Sequence, residues 1–556
     1  MKASEGSPRS KCTSPYAGRW VARLHGKVIA QGKTAEEAQR AAQARRHKES
    51  PEIVFMPSAE TFSFASILNQ VTACLPADQE IYLVGGALRA ALLGRESRDL
   101  DFVVPANGIR LGRRIANALQ GSFYPLDEDR DTGRVILRDQ DGRRVYLDFA
   151  RYRGTSLDED LRVRDFTMNA LAFDLRTEVI HDPLHGTRDI RAKCIRACNP
   201  GSFKDDPVRI VRAVRQAVEL GFQIDRETLV LMKQSLSDLR EVSPERLRDE
   251  LFHILDRPGA DAALRSLDTL GALPYLLPEL TALKGMEQPA PHVYDVWTHT
   301  LAVLGALEEI LAVLAPGFDT DAGGDLFTGL LAGRLGRYRE RFHAYLQSAL
   351  SIERSQRGLL FFAALYHDVA KPECKSVAED GRIRFWGHDR RGSELVAARA
   401  REFHLSNAEI ERLRSIVRHH MRLHFHGKRL ENQGRTPSRK AIYRFFRDVG
   451  ATGVDLALLA LADTRATYGV ALTQGAWDAV LEVCRIFLEN YWEKPQETVY
   501  PPALLDGHEA MREFGLVPGP QVGKLLETIR EAQATGKVSS REDALRYGHT
   551  WLEEQR

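Results

Sequence analysis

Two glycines and two aspartates are the residues of this sequence whose types and spacing point most directly to chemistry. A predicted apolar strand at 81–84 runs into Gly85-Gly86, and a second predicted strand carries Asp99 and Asp101. Glycines let a backbone approach a phosphate, and a helix start directs free N–H groups at it. Alternation along a strand places both carboxylates on one face, where a divalent cation can bind. Singly, such residues are more often a tight turn or surface acids, but together they predict metal-dependent phosphoryl or nucleotidyl transfer.

The glycine turn and the aspartate strand also resemble a known family motif. Class II tRNA nucleotidyltransferases (CCA-adding enzymes) and bacterial poly(A) polymerases carry Leu-Val-Gly-Gly-x-Val-Arg-Asp-x-Leu-Leu-Gly, followed by Asp-x-Asp. This sequence departs from the motif at Leu88, in place of Val, and at Ala90, in place of Asp. Arg89, which the resemblance implies as a contact of the triphosphate, is present. The resemblance implies a polymerase-β-like head in which the aspartate pair holds Mg²⁺ as the catalytic metal.

Two further segments of the predicted head carry charged residues. A strand at 145–150 would bring Asp148 towards the aspartate pair as a third carboxylate, although an acid at a strand edge is the commoner case. Arg164 and Asp165 resemble the end of the family's Arg-Arg-Asp-Phe-Thr-x-Asn-Ala element, with Val163 in place of its first Arg. In the family this element meets ribose and phosphates, so Asp165 is expected to accept a hydrogen bond from a 2′-hydroxyl group. Read alone, the pair would be a helix cap and a salt bridge.

A third motif, on a predicted helix that starts at Pro207, combines a hydrogen-bond acceptor with donors. The residues that recur every three positions and share one slowly drifting face are Asp206, Arg209, Arg212 and Arg215. Asp206 only accepts hydrogen bonds and Arg209 only donates them. Side by side they match the amino group and bare ring nitrogen of cytosine or adenine, whereas uracil and guanine present the reverse order. Each mismatched group would cost about 1–3 kcal/mol, so the pair is expected to select C and A without a template.

The alternative for this segment is a capped amphipathic helix with a solvated arginine stripe. However, it resembles the family's template motif, Glu-Asp-x-x-Arg followed by arginines at the same steps, with Asp205 in place of the Glu. The resemblance implies that Arg212 and Arg215 lie towards the triphosphate or the tRNA backbone. With similar segments at 182–186 and 243–247, it covers about 80–256.

Histidines and aspartates farther along the chain predict a second metal site. They are His299, the adjacent pair His367-Asp368, and Asp463. Imidazole nitrogen and carboxylate oxygen suit a divalent transition metal. The order His, His-Asp, Asp resembles the HD phosphohydrolase superfamily, which implies an all-helical domain, and His388 and His419 are candidates for a second ion or a phosphate.

Metal binding at this second site does not by itself imply hydrolysis. A lone histidine on an apolar helix is more often a core residue, and a metal site can persist as structure. If the site is active, the resemblance implies removal of phosphates from tRNA ends, including 2′,3′-cyclic phosphates, by a metal-activated water.

Composition excludes several classes of protein. The net charge of +2 means that a nucleic-acid surface must come from local basic clusters. Six cysteines are sparse in 556 residues, and only Cys194 and Cys198 are close together, so reduced thiols are expected. No apolar run is expected to span a membrane, and the polar, basic start does not resemble a signal peptide. We expect a soluble, cytoplasmic protein with no membrane partner, and the sequence leaves its oligomeric state open.

The N-terminal residues predict a small basic accessory domain. Residues 1–17 are polar and predicted to be flexible, and 18–57 predict a ββαβ unit whose helix begins with a capping box from Thr34 to Glu37. Residues 1–50 contain eleven lysines and arginines against four acids. This domain could contact tRNA phosphates or simply present a solvated charged face.

The pattern as a whole predicts an α+β multidomain fold. Behind the small ββαβ domain, its parts are a nucleotidyltransferase head with a mixed sheet at 60–190, a helical neck with the base-selecting helix at 191–280, an all-α HD domain at 285–470 and a helical tail at 475–556.

The predicted function is template-independent, Mg²⁺-dependent addition of CMP and AMP (CCA) to the 3′ end of tRNA from CTP and ATP. CC-only, A-only and poly(A)-adding enzymes share these motifs, and the departures at Ala90 and Val163 keep a partial specificity open. Two other classes are an HD phosphohydrolase with an RNA-binding head and an RNA-binding assembly factor. The aspartate pair argues against the HD phosphohydrolase class, because RNA binding alone needs no metal-binding carboxylates in the head.

Overall fold

The computed structural model describes residues 16, 19–24, 27–45, 50–56, 62–76, 78–139, 141–319, 324–351 and 354–555. Contacts divide the chain into two compact units, Met1–Asp238 and Leu239–Arg556, and the boundary falls inside the predicted neck. The predicted flexible segment 1–17, Tyr16 apart, and the hairpin turn at 25–26 lie outside the described residues.

The first unit begins with the predicted ββαβ domain. Its elements are β1 Arg19–Leu24, β2 Lys27–Gly32, α1 Ala35–Gln43 and β3 Glu52–Met56, with strand order β2-β1-β3. Thr34 caps α1 by accepting a hydrogen bond from the Glu37 N–H, as predicted, but the Glu37 carboxylate accepts from the Lys33 N–H, one residue earlier than a capping box requires. The Trp20 indole N–H donates to the Leu92 carbonyl (3.1 Å), which attaches this domain to the head.

The head that follows is a seven-stranded mixed sheet with helices, as predicted. Its elements are α2 Ala65–Ala73, β4 Tyr82–Val84, α3 Gly86–Leu92, β5 Asp99–Val104, α4 Gly108–Ala118, β6 Ser122–Asp127, β7 Thr132–Arg138, β8 Arg144–Arg151, α5 Leu157–Arg162, a 3₁₀ turn Thr167–Asn169, β9 Ala172–Asp174, β10 Ile180–His181 and α6 Gly186–Arg191. The strand order of the sheet is β10-β9-β4-β5-β8-β7-β6.

The segment predicted as the neck follows. Its elements are β11 Cys194–Ile195, α7 Ser202–Asp205, α8 Arg209–Leu220, β12 Gln223–Ile224, α9 Arg226–Gln234 and, across the unit boundary, a 3₁₀ turn Leu236–Glu241. Contrary to the prediction, it is not wholly helical, because β11 and β12 pair in parallel in a separate two-stranded sheet.

The pairing of three central strands fixes the position of the aspartates. Strand β5 pairs antiparallel with β4 and parallel with β8, so Asp101 lies level with Val84 on one side and Asp148 on the other. Alternation along β5 buries Leu100 and Phe102 in the core and leaves the aspartates on the opposite face. The strand therefore presents its carboxylates next to the glycine turn that ends β4.

The helix with the base-selecting motif begins later than predicted. Pro207 was predicted at its first position, but α8 starts at Arg209, and Asp206 has an extended backbone (φ −152°) directly after α7. The N–H of Arg209 donates to the Asp206 carbonyl (3.1 Å), and the N–H of Ile210 to that of Pro207 (3.0 Å). These i→i+3 bonds form a tight turn before the helix, so Asp206 precedes α8 instead of lying on its face.

The second unit is mainly helical. Its elements are α10 Pro244–Leu255, α11 Ala260–Leu270, α12 Leu273–Leu276, a 3₁₀ turn Pro278–Leu283, α13 Val296–Val313, α14 Leu326–Leu335, a 3₁₀ turn Gly336–Tyr338, α15 Arg339–Gln347, β13 Ala349–Ser351, β14 Arg354–Ser355, α16 Gln356–Tyr366, α17 Lys371–Cys374, β15 Lys375–Val377, β16 Ile383–Phe385, α18 His388–Glu402, α19 Asn407–His419, α20 Met421–Gln433, α21 Arg439–Val449, a 3₁₀ turn Gly450–Thr452, α22 Gly453–Tyr468, a 3₁₀ turn Gly469–Ala471, α23 Gln474–Glu493, a π turn Pro495–Val499, α24 Gly507–Phe514, α25 Pro520–Ala534 and α26 Arg541–Glu554.

Two small hairpins correct the prediction that the HD region is all-helical. β13 pairs with β14 and β15 pairs with β16, both antiparallel. The second hairpin turns at Asp380-Gly381, and Gly381 has a positive φ of 78°. Asp-Gly is a strong hairpin signal, so this element could have been predicted from the sequence.

Helix α13 corrects a second expectation. It is long and apolar enough, by length and composition, to cross a membrane, with a mean hydropathy of 1.4, although the sequence was expected to contain no such run. However, 67% of this helix is buried inside the protein, where it packs against α22. Burial of this kind is typical of the core helix of a bundle. The described cysteines are free thiols, as predicted.

Candidate active site and metal centre

The glycine turn, an aspartate and an arginine meet at the end of β4. Gly85 has a positive φ of 73°, and a Cβ atom at this position would lie 3.1 Å from Asp101 Oδ2 and 3.6 Å from a terminal nitrogen of Arg164. Both the backbone conformation and this close approach therefore require glycine. The turn leads directly into α3, which begins at Gly86. The structure thus brings together a helix start, a carboxylate and a guanidinium, which is the geometry predicted for binding a nucleotide phosphate.

The carboxylates of this site repel one another. Burial, followed by the nearby charge of Asp148, raises the pKa of Asp101 to about 6, and Asp99 acts in the same direction. Asp148 is itself held by Arg134, whose Nε and terminal nitrogen each donate to one of its oxygens (2.7 Å). Asp148 therefore lies beside Asp101, which is the less common of the two alternatives for this residue, but part of its charge is already compensated. A cluster of like-charged carboxylates of this kind suits a divalent cation.

Arg164 is fixed by a buried carboxylate. Its Nε and one terminal nitrogen donate to Asp160 Oδ2 (3.0 and 2.8 Å), and the Arg153 N–H donates to Oδ1 (3.0 Å). Asp160 is only 1% exposed. Removing one partner of such a buried pair typically costs about 3–5 kcal/mol. The remaining terminal nitrogen of Arg164 faces the glycine turn, so the arginine is held ready for a phosphate.

Arg89 belongs to a second group of polar side chains behind the turn. Its guanidinium donates to the Asn169 side-chain oxygen and, at 3.5 Å, to that of Gln216 on α8. The Asn169 amide group donates to Gln216 (3.2 Å) and to Asp165 (2.9 Å). Burial lowers the pKa of Arg89. Asn169 and Gln216 were not among the predicted site residues, and a buried Gln inside an arginine-rich helix is the signal that could have indicated Gln216.

The two following arginines of α8 differ in their surroundings. Arg212 lies 3.4 Å from Asp165, whereas Arg215 pairs with Glu219 on the same helix (3.2 Å). Burial would raise the pKa of Asp165, but Arg212, the Asn169 amide and the Phe166 N–H together hold it below its usual value. Asp165 is therefore a carboxylate at neutral pH, as an acceptor for a ribose hydroxyl must be.

Asp206 and Arg209, the predicted base-selecting pair, lie side by side with 3.7 Å between Oδ2 and Nε. Arg209 is only 6% exposed. One of its terminal nitrogens donates to the hydroxyl of Ser202 (2.8 Å) and the other to the carbonyl of Val163 (3.0 Å). Contact between a base and the terminal nitrogens of the guanidinium therefore requires Arg209 to exchange some of these hydrogen bonds, whereas its buried Nε makes none with the described residues.

In the second unit, two of the predicted residues, His299 and His367, lie close to the carboxylate of Asp368, and His299 also lies close to Asp463. His367 Nε2 lies 3.1 Å and His299 Nε2 3.8 Å from Asp368 Oδ2, and His299 Nε2 lies 3.1 Å from Asp463 Oδ1. Helix α16 ends at Tyr366, so the His367-Asp368 pair lies in the turn that follows and both side chains can face the same point. All four are nearly buried.

A second triad uses the other oxygen of the same carboxylate. Asp368 Oδ1 lies 3.5 Å from His388 Nε2 and 3.9 Å from His420 Nε2. Both triads have the spacing of metal ligands. The sequence prediction of His419 is wrong, because His420 is the residue that faces this point. Neighbouring residues of a helix point about 100° apart, and α19 ends between the two histidines, so the pattern alone could not choose between them.

Backbone hydrogen bonds fix which nitrogen of each histidine is free. The Nδ1 atoms of His367, His388 and His420 each lie 2.7 Å from a backbone carbonyl, of Ala364, Phe385 and Val417 respectively. Because a carbonyl only accepts, each Nδ1 carries the proton and each Nε2 offers a lone pair.

Two of these lone pairs face each other, since the Nε2 atoms of His388 and His420 are 3.2 Å apart. Such an arrangement is repulsive without a cation between them. Burial, followed by His388, lowers the pKa of His420 to about 3, so His420 is neutral at neutral pH and offers the lone pair of its Nε2. A divalent ion fits this donor set.

Three residues around the cluster were not predicted. His424 Nε2 lies 2.8 Å from Asp463 Oδ2, and Lys371 Nζ lies 2.6 Å from Asp368 Oδ2. The ring of His292 packs edge-on against His299, and burial lowers the pKa of His292 to about 4. His424 lies four residues after His420, on the next helix, which is a spacing that could have indicated it.

Three family models match successive segments of the chain. The "Poly A polymerase head domain" matches 81–196, the "Probable RNA and SrmB- binding site of polymerase A" matches 221–284 and the "HD domain" matches 296–463. The chain is 31% identical to the A-adding tRNA nucleotidyltransferase of Deinococcus radiodurans over 480 residues, which cover 85% of this chain and 95% of that protein. The chain belongs to the tRNA nucleotidyltransferase family.

Other members of the tRNA nucleotidyltransferase family are similarly related. The CC-adding enzyme of Geobacter sulfurreducens is 31% identical over 468 residues, covering 84% of this chain and 90% of its own. A solved apo structure of a CCA-adding enzyme has the same fold, with a TM-score of 0.54 at 19% identity over 87% of this chain and 93% of its own. The predicted family and fold class are thereby confirmed.

Proposed function

We propose that this enzyme adds CMP and AMP to the 3′ end of tRNA, using CTP and ATP. The observation that carries the proposal is the meeting of Gly85, Asp101 and Arg164 at one end of the sheet. The relatives that match this chain along nearly their whole length are named tRNA nucleotidyltransferases, which supports tRNA as the substrate. The sparse cysteines and the buried state of α13 agree with a cytoplasmic enzyme.

The reaction forms one bond and breaks one bond at the α-phosphorus of the nucleotide. The terminal 3′-oxygen of the tRNA attacks that phosphorus and loses its proton, and pyrophosphate leaves. Asp99 and Asp101 would hold Mg²⁺, which would favour the deprotonated 3′-oxygen and shield phosphate charge. Arg164 and Arg89 would orient the phosphates, and Asp165 would accept the ribose hydroxyl.

Base choice would fall to Asp206 and Arg209. Asp206 accepts from the amino group that cytosine and adenine share, and Arg209 donates to the adjacent ring nitrogen. To do so, Arg209 would turn from the carbonyl of Val163 and the hydroxyl of Ser202 while staying beside Asp206. The hydrogen bonds that Arg209 already makes keep its buried charge satisfied until a nucleotide arrives.

Asp206→Ala should reduce discrimination in favour of C and A. Removing the acceptor should lower the ratio of kcat/KM for CTP to that for UTP by roughly 10- to 100-fold, because a buried mismatch costs a few kcal/mol. Single-nucleotide incorporation into a truncated tRNA measures this ratio. Asp129→Ala, at an exposed turn of the head, is the control. An unchanged ratio in Asp206→Ala would exclude Asp206 from base choice. Arg209→Ala is a poorer probe, because it also removes buried hydrogen bonds.

A partial specificity is the second candidate, because relatives matched over most of the chain include one named as an A-adding enzyme and one named as a CC-adding enzyme. Purified protein should be incubated with tRNAs lacking their last one, two or three nucleotides, each with CTP and ATP together, one of the two labelled, and Mg²⁺. Completion of all three tRNAs is the result expected for full CCA addition. Addition of AMP only to the tRNA lacking one nucleotide would identify an A-adding enzyme, and addition that stops before the final AMP would identify a CC-adding one. No addition to any tRNA would contradict the proposal.

We also propose a metal-dependent phosphohydrolase activity for the second unit. The supporting observation is that Asp368 belongs to two groups of possible metal ligands. One of its oxygens faces the first pair of histidines and the other faces the second pair. Divalent ions there would neutralise phosphate charge and make a water nucleophilic at neutral pH. The chain's own contribution is to hold the imidazoles with their lone pairs inward.

A further inference from the structure

Part of the candidate metal-ligand cluster of the second unit lines a cavity of about 770 Å³. Asp368, His388 and Asp463 all contribute to its lining. A cavity of this size is in the range that binds whole small ligands. It is far larger than an inorganic phosphate requires. The space above the cluster therefore calls for a ligand that carries a sizeable group in addition to its phosphate.

Trp386 forms part of the wall of this cavity although 78% of its surface is exposed. It follows the β15–β16 hairpin and comes two residues before His388. The carbonyl of its neighbour Phe385 accepts the hydrogen bond of His388 Nδ1, which fixes the tryptophan backbone relative to the cluster. A single exposed apolar residue needs no explanation. An indole tied to a metal-ligand histidine, at the side of a large cavity, is a different case.

Two lysines line the same cavity as the indole and the cluster. Lys371 is buried, with its Nζ 2.6 Å from Asp368 Oδ2 and 5.5 Å from the centre of the Phe385 ring. Lys428 on α20 also lines the cavity and is exposed. The cavity thus offers ligand-type side chains for ions, positive charge along its wall and an aromatic face at its edge. Those three features match the terminal phosphate, the backbone charge and the base of a nucleotide.

We propose that Trp386 is the base-stacking platform of the second unit, so that this unit prefers a phosphate ester that carries a nucleobase over one that does not. This inference rests on the phosphohydrolase proposed above and names the residue that selects its substrate. Every base has a π-face, so stacking on Trp386 would accept any base. The same chemistry could come from a free mononucleotide or from the end of an RNA chain, and the experiment below includes both.

Binding to the full chain in the presence of Mn²⁺ tests the proposal. Isothermal titration with 3′-AMP, with a six-residue RNA ending in a 3′-phosphate and with inorganic phosphate should be compared for the parent protein, Trp386→Ala and Trp386→Phe. We expect Trp386→Ala to weaken 3′-AMP and RNA binding by roughly 10-fold or more, with little change for inorganic phosphate. Trp386→Phe should retain most of the affinity. Tighter binding of the RNA than of 3′-AMP would identify an RNA end as the source.

Phe425→Ala is the matched control, because Phe425 is also an exposed aromatic residue (60%) close to the cluster but does not line the cavity. Quenching of tryptophan fluorescence by 3′-AMP should occur in the parent protein and be reduced in Trp386→Phe. The proposal is overturned if Trp386→Ala binds 3′-AMP as the parent does, or if it loses inorganic phosphate equally, since the residue would then act on the shape of the cavity.

Hydrolysis of p-nitrophenyl phosphate, measured in the same preparations, separates this inference from the activity on which it rests. Absence of hydrolysis together with Trp386-dependent binding of 3′-AMP would contradict the phosphohydrolase and leave the platform standing. Hydrolysis together with binding of 3′-AMP that does not depend on Trp386 would support the phosphohydrolase and contradict the platform.

Discussion

Asp101→Asn should abolish nucleotide addition while leaving the protein folded. Asp101 lies between Val84 and Asp148 in the sheet and next to the Gly85 turn. Asparagine keeps its volume but removes the negative charge that would hold a divalent ion. Loss of several kcal/mol of transition-state stabilisation corresponds to a decrease in kcat/KM of roughly 10³-fold or more. Incorporation of labelled CMP and AMP into truncated tRNA measures it.

The same substitution should not lower the free energy of unfolding at neutral pH. Burial and the neighbouring Asp148 raise the pKa of Asp101 to about 6 in the folded protein. A carboxyl whose pKa is higher folded than unfolded costs stability once the pH rises above its unfolded value, and asparagine avoids that cost. Asp141→Asn, at an exposed turn of the same sheet, should change neither quantity. Substantial addition by Asp101→Asn would contradict the assigned role, and a large fall in Tm would show that the lost activity came from unfolding.

Local patterns predicted the head well, because its chemistry depends on short-range geometry. Alternation along a strand fixes which face carries the two aspartates. Once that strand lies next to the strand that ends in the glycine pair, the aspartates must lie beside the glycine turn. The structure bears this out, because a Cβ atom added to Gly85 would lie only 3.1 Å from Asp101 Oδ2. The strand that carries Asp148 was also predicted, but its parallel pairing with β5 comes from the structure.

Interactions distant in sequence account for what the patterns missed. Gln216 bonds to Asn169, 47 residues earlier, and no periodicity encodes such a contact. The terminal nitrogens of Arg209 bond to groups at Val163 and Ser202, so three-residue spacing could place it near a base but could not reveal its present partners. The choice between His419 and His420 depends on where one helix ends and the next begins, and helix boundaries are the least certain feature of any sequence prediction.

Asp368→Asn should remove divalent metal from both positions of the second unit. Its Oδ2 faces His299 and His367, and its Oδ1 faces His388 and His420, so one side chain serves both triads. The loss of affinity should exceed the roughly 10- to 100-fold that even indirect partners of metal ligands cost. Metal content after dialysis, measured by mass spectrometry, and hydrolysis of 2′,3′-cyclic AMP should fall together. Nucleotide addition should continue, because the head residues lie in the other unit.

Substitution of single histidines distinguishes a centre with two metal ions from a centre with one. His420→Gln removes a ligand from the second triad only, so metal content should fall by one ion per chain while the first triad stays occupied. His419→Gln is the matched control, since it alters the preceding residue, which is not part of either triad. Equal loss in both variants would indicate damage to the helix end instead of loss of a ligand. An unchanged metal content in His420→Gln would limit the centre to one ion, and the 3.2 Å approach of His388 to His420 would then need another source of positive charge.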